Sequence, residues 1–212
     1  MDKSTKPHPS WSLPPARSPF AQEAQTRFLF NYQTGLRSDW ESISLTVMVW
    51  GPGVTRPTQM AVKRHQIKNR LLEVGHNPLF SEDIKGDDDP LHKELPGVEG
   101  LMLKETYQAD YADFVVLLLD EGDLTPGVQA ELEICADPYI ASKVFVMAPA
   151  LLKNSFTHKV AIAPIEGGNG AVYWYTDDEL AQCNVLTEAI YRVEQKRYIL
   201  VRQLRLSRKA TT

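Results

Sequence analysis

No apolar run of 18 or more residues occurs among the 212 of this chain, and no hydrophobic stretch follows the charges at its N-terminus. Neither a membrane span nor a signal peptide is therefore expected, and the expected location is the cytoplasm. Cysteine is scarce. Cys135 and Cys183 lie far apart, with no CxxC or Cys/His cluster around them, so no metal site is expected and each reads as a reduced, partly buried small residue. Positive charge is not in excess either: the formal net charge is −4, which argues against a dedicated nucleic-acid interface and leaves small ligands as the natural partners. A full GxGxxG fingerprint, a GK[ST] phosphate loop, an internal repeat and a sustained heptad are all missing, and no cofactor is implied.

What is present is enough apolar residue, 43%, for one substantial core. Met1 to Phe20 carries five prolines without periodicity, so residues 1–25 are expected to form a disordered or loosely docked arm before one domain over residues 26–212. A short helix over Ala21 to Tyr32 and a polar loop to Trp40 lead into it. Phe114 to Leu119 is an unbroken apolar run closed by Asp120, the pattern of a strand buried on both faces of a parallel sheet. Thr125-Pro126 supplies an N-cap and a first-turn proline for a helix over Gly127 to Ala136, and Lys143 to Ala148 is apolar again. The unit is a β-α-β crossover.

Upstream, Ile43 to Trp50 reads as the first strand, cut off by Gly51-Pro52-Gly53. Two glycines at a strand end let backbone approach a ligand, and Arg56 with the helix start beyond it suits a phosphate or carboxylate; a plain strand-to-helix turn is the alternative. Pro57 to Val74 has helical spacing and ends at Gly75. Asn77 to Phe80 is a short strand followed by Ser81-Glu82-Asp83, Lys85 to Gly100 is a loop, and Leu101 to Ala112 a helix. Downstream, Val160 to Pro164 and Ala171 to Tyr175 read as two strands around a glycine-rich turn. Thr176 to Glu179 is a capping box opening a helix that runs past Leu204. Such a helix, from Asp177 to Leu206, is about 45 Å long. Its Tyr191, Tyr198, Ile199 and Leu206 leave apolar surface that predicts a homo-oligomer or a partner subunit. The sum is a Rossmann-like, flavodoxin-like α/β domain with a parallel sheet of about five strands flanked by helices and a long C-terminal helix.

In such sheets the ligand crevice lies beyond the carboxyl ends of the strands, where Asp120, Thr125 and the first turns of the next helix fall. Thr125-Pro126-Gly127-Val128-Gln129-Ala130-Glu131-Leu132 fits the form [ST]-P-G-x-x-x-E-L. It resembles the nucleoside 2-deoxyribosyltransferase-like branch of the superfamily that also contains TIR domains, over roughly Ile43 to Pro149. The chain departs in carrying Glu133 where relatives often have glycine. The resemblance implies cleavage or transfer at the N-glycosidic bond of a nucleoside or nucleotide, NAD among them, in the manner of bacterial anti-phage effectors, or else a nucleotide sensor that relays a signal to a partner without turnover. Glu131 is then the catalytic carboxylate. A glutamate suits this independently, since breaking the bond builds positive charge on the anomeric carbon that a carboxylate can attack or stabilise. Its early-helix position is expected to favour ionisation. Asp120 or Asp83 is the second acid, and Gly51, Pro52, Gly53, Arg56, Glu82, Asp83, Thr125 and Gly127 are the expected substrate contacts.

Overall fold

The computed structural model describes residue 35 and residues 37–55, 58–84, 98–120 and 125–210. The expectations for the arm at 1–25, the helix at 21–32, Arg56 and residues 85–97 of the loop expected over Lys85 to Gly100 fall outside these residues; the last three of that loop, from Val98, are helical. Two compact units divide at Ser42/Ile43. In the first, residues 37–41 are helical, braced by an Arg37 Nε to Glu41 Oε1 pair at 2.7 Å. The predicted polar loop is therefore helical in its last residues, where i,i+4 pairing is available.

The second unit is built on five strands: β1 (Thr46–Trp50), β2 (Asn77–Leu79), β3 (Phe114–Leu118), β4 (Val144–Pro149) and β5 (Ala171–Tyr175), all parallel in the order β2-β1-β3-β4-β5. This is the flavodoxin-like order, whose switch point lies between β1 and β3. Pro78 sits in β2, an edge strand, where a missing N–H costs no ladder bond on the open side.

Alternate strand residues feed two cores. On one face Met48, Trp50, Val115, Leu117 and Val146 pack against α2 (Val98–Tyr111), α3 (Pro126–Cys135) and α4 (Pro138–Ala141). On the other, Val47, Val49, Val116, Leu118 and Met147 meet α1 (Gln59–Glu73), α6 (Asp177–Ala181) and α7 (Asn184–Ala210). Burial on both faces explains why β3 and β4 read as continuous apolar runs. Local chemistry sets the helix ends. Thr58 Oγ1 accepts from Ala61 N at 3.2 Å to open α1, and Gly75, at φ +88°, closes the turn after it.

Two elements differ from expectation. Val160 to Pro164 is not a strand but part of a π-helix (His158–Ile162) running into α5 (Ala163–Gly167). Ile162 and Ile165 are fully buried at a helical spacing, and Pro164, lacking an N–H, fits a first helical turn. The C-terminal helix is also two helices. The capping box forms as expected between Thr176 and Glu179, but Gln182 turns extended (ψ −170°) after only five residues of α6. The 27-residue α7 then starts afresh at Asn184, spans about 40 Å, and seats Val185, Ala189 and Val193 against the sheet. Among the described residues no helix is long and apolar enough to cross a membrane.

Candidate active site

Strand β1 ends at the switch point with Trp50, and Gly51 takes φ +131° there. A Cβ at Gly51 would stand 2.4 Å from the Leu118 carbonyl oxygen, so only glycine lets this turn pass against the end of β3. Gly53 is different. Nothing lies within 4 Å of where its Cβ would be, because it faces a cleft of about 360 Å³.

Gly51 and Gly53 form one side of that cleft. Ser81 and Glu82, in a 3-10 turn beyond β2, form a second, and Lys104 and Glu105 of α2 a third. Thr125, Gly127, Val128 and Glu131, from the start of α3, close it. Thr125 caps α3 by accepting from Val128 N at 3.5 Å, which leaves the helix start and Gly127 open to the cleft. The crossover motif and the glycine turn, 74 positions apart in sequence at Gly51 and Thr125, therefore meet in one place.

Three carboxyl groups converge here. Glu131 is 5% exposed and Glu105 is 4% exposed, and the Oε2 atom of each is buried without a hydrogen-bond partner. Burial drives the Glu131 carboxyl well above its ordinary range, and the nearby Glu105 and Glu82 push the same way. The Arg64 guanidinium and the Gly51 N–H oppose them. Glu105 is raised to about 7, chiefly by burial, with Glu82 adding to the shift and Lys104 opposing it. Burial thus works against the ionisation that the helix start is expected to favour. Cys135, one turn further along α3, is fully buried beside the pair, and burial followed by the charges of Glu131 and Glu105 raises its thiol pKa as well. Cys183 is exposed, contrary to the expectation of partial burial.

The remaining predicted residues separate into two groups. Gly51, Gly53, Glu82, Thr125, Gly127 and Glu131 line the cleft. Pro52, Asp83 and Asp120 are not among its lining residues. Pro52 is buried, with its carbonyl accepting from Arg64 Nη1 at 2.7 Å. Asp83 accepts from Phe80 N at 2.6 Å and from Lys68 Nζ. Burial would raise its pKa, but those donors hold it below the usual range, as suits a carboxylate closing a turn. Glu133, the departure in the motif, is exposed on the far side of α3.

Sequence reasoning missed Glu105, Lys104, Ser81 and Arg64. Lys104 Nζ donates to the Ile84 carbonyl at 3.0 Å, and Ser81 Oγ donates to Gln108 Oε1 at 2.7 Å. One available signal for Glu105 was its place four residues before Ala109, a buried position of α2, which puts both on one helical face. Among the described residues no group of His, Cys, Asp or Glu is arranged to hold a metal ion. No protein-family model, curated protein or solved structure matches this chain.

Proposed function

We propose that the cleft cleaves or transfers the N-glycosidic bond of a nucleoside or nucleotide, with Glu131 facing the anomeric carbon and Glu105 as its acid–base partner. The observation that carries this reading is the pair of buried carboxyl groups, each with an unpartnered oxygen, at the switch point of a parallel sheet. An unsatisfied buried polar atom is costly, and a ligand in the cleft relieves it. Burial and the charge of its neighbour oppose ionisation of each acid, so the two resist ionising together and the reacting form carries one ionised and one protonated carboxyl. As the bond breaks, the ionised member stabilises or captures the developing cation at the anomeric carbon. The proton of the other goes to the departing base nitrogen. Water or an acceptor hydroxyl then attacks the anomeric carbon and returns its proton to the pair.

The test is incubation with nucleosides, nucleoside monophosphates and NAD, followed by chromatography for released base. Wild type is expected to release base from at least one of them, and Glu131→Gln to lose about 10³-fold or more in rate. Unchanged turnover in that variant removes Glu131 from the mechanism. Binding without turnover is the second reading, and one observation favours it: burial disfavours the ionised form of Glu131, the form a nucleophile needs. Binding of the same compounds with no released base in any of them supports that reading.

The assembly reading is a proposal of the same kind. Tyr191, Tyr198, Ile199 and Leu206 are 50–58% exposed along α7, and a stripe of this kind on one helix suits contact with a second copy or a partner subunit. Light scattering is expected to report a dimer or larger assembly, and a monomer at all concentrations counts against self-association.

A further inference from the structure

The guanidinium of Arg64, on α1, is 1% exposed and lies behind the cleft, outside its lining. Its Nη1 donates to the carbonyls of Gly51 at 3.0 Å and Pro52 at 2.7 Å, and its Nη2 to the carbonyl of Val49 at 2.7 Å. The same two nitrogens pair with both oxygens of Glu82, at 3.2 and 3.3 Å, and the Phe80 ring packs 4.8 Å from the guanidinium carbon. One buried cation thus holds three carbonyls within four residues of chain, together with a carboxylate on the cleft wall. The turn it holds is the one whose Gly51 N–H opposes the raised titration of Glu131. Gly51 therefore stands between the two: its carbonyl is fixed by Arg64, and its N–H acts on the acid.

We infer that Arg64 is a positioning residue for the reacting acid: by holding the carbonyls of Val49, Gly51 and Pro52 it fixes the peptide whose N–H supports the Glu131 carboxylate, and through Glu82 it ties that turn to the cleft wall. The planar fork of arginine supplies this; a lysine carries the charge but has one nitrogen, and cannot reach three carbonyls and a carboxylate together. The inference rests on the reading of Glu131 as the reacting acid. The groups acting on it are Glu105 from α2, Glu82 from the 3-10 turn, Arg64 from α1 and the Gly51 N–H; Lys104 acts on Glu105, and Cys135 lies buried further along Glu131's own helix. Of these, Arg64 and the Gly51 N–H favour its ionised form.

The experiment is an NMR titration of Glu131 by its carboxyl carbon, alongside base-release kinetics, in wild type, Arg64→Lys and Glu82→Gln. Arg64→Lys keeps the charge and frees the turn, so the Glu131 midpoint is expected to rise and kcat to fall about ten- to a hundredfold, with KM changed much less. Glu82→Gln removes a like charge and is expected to lower the midpoint. A raised midpoint in the charge-preserving Arg64→Lys variant is what a merely structural arginine does not produce. If Arg64→Lys does not fold, the wild type still decides: the Gly51 amide and the Arg64 Nη resonances are expected to titrate with the Glu131 midpoint. A folded Arg64→Lys with unchanged midpoint and kcat, or wild-type Gly51 and Arg64 signals that ignore the Glu131 titration, overturns the inference. Absence of base release in wild type defeats the enzymatic reading alone, because the titrations need no turnover.

Discussion

Beneath α7, His76 and Arg197 are each 4% exposed, as deeply buried as Glu105 and Glu131 in the cleft, yet the two pairs are treated in opposite ways. His76 Nδ1 accepts from Leu45 N at 3.2 Å, and its Nε2 lies 2.9 Å from Glu194 Oε1. Arg197 Nη1 donates to the Val74 carbonyl at 2.9 Å and to Glu194 Oε1 at 3.4 Å. These bonds partner His76 and Arg197 and fasten α7 to the turn after α1. In the cleft polar burial is left incomplete on one oxygen of each acid. Partnered groups hold a fold together, whereas two acids with an unpartnered oxygen lining one cleft leave a ligand something to complete.

The contrast has a pH signature of two signs. Glu105 is raised in the fold to about 7 from an ordinary 4.5. The unfolded chain ionises first, so stability falls as pH rises through that window. His76 is lowered from 6.5, by burial above all, with Glu194 opposing. Here the unfolded chain takes up the proton first, so stability falls as pH drops below about 6.5.

Among Glu105→Gln, His76→Ala and Asp83→Asn, the largest effect is expected for Glu105→Gln. Base release is expected to fall about 10²-fold or more, while stability at pH 8 rises by up to about 3 kcal/mol and is unchanged near pH 4. Urea unfolding at the two pH values checks it; equal gains at both would show that the shift in Glu105 is not the cause. His76→Ala comes next, with an expected loss of about 1–3 kcal/mol at pH 8, because the Leu45 N–H loses its acceptor and Glu194 loses one of its two partners. Substrate binding is expected to be unaffected, and a weakened KM would break the separation between the two regions. The smallest effect is Asp83→Asn. Its ion pair with Lys68 is part-exposed, at 35% for the Asp83 side chain, so the cost is expected to stay within about 1 kcal/mol. Ligand affinity is expected to hold in calorimetry, in keeping with a carboxylate that closes the turn at Phe80.

How far these regions were legible in sequence follows from the range of the forces involved. The β-α-β unit was readable because Phe114 to Leu119, Thr125-Pro126 and Lys143 to Ala148 carry local signals: an apolar run, a cap and a second apolar run. The segment at Val160 misled because a short apolar run does not separate strand from helix, and the spacing of Ile162 and Ile165 decides only once their burial is known. Gln182 interrupts the C-terminal helix without glycine or proline to announce it. In the cleft, Glu131 and the glycine turn were visible as motif and punctuation. Glu105 and Arg64 were not, because their roles depend on which strand end each helix passes, a matter of strand order. The same reason separates Glu82 from Asp83, adjacent carboxylates of which one lines the cleft and the other closes its own turn.

The most direct test of the account measures two properties of one variant. Glu131→Gln removes an acid whose ionisation the cleft resists while keeping its shape. The account predicts that at pH 8 the variant unfolds at a higher urea concentration than wild type and releases no base from any substrate that wild type turns over. A variant no more stable than wild type, with base release intact, would contradict it.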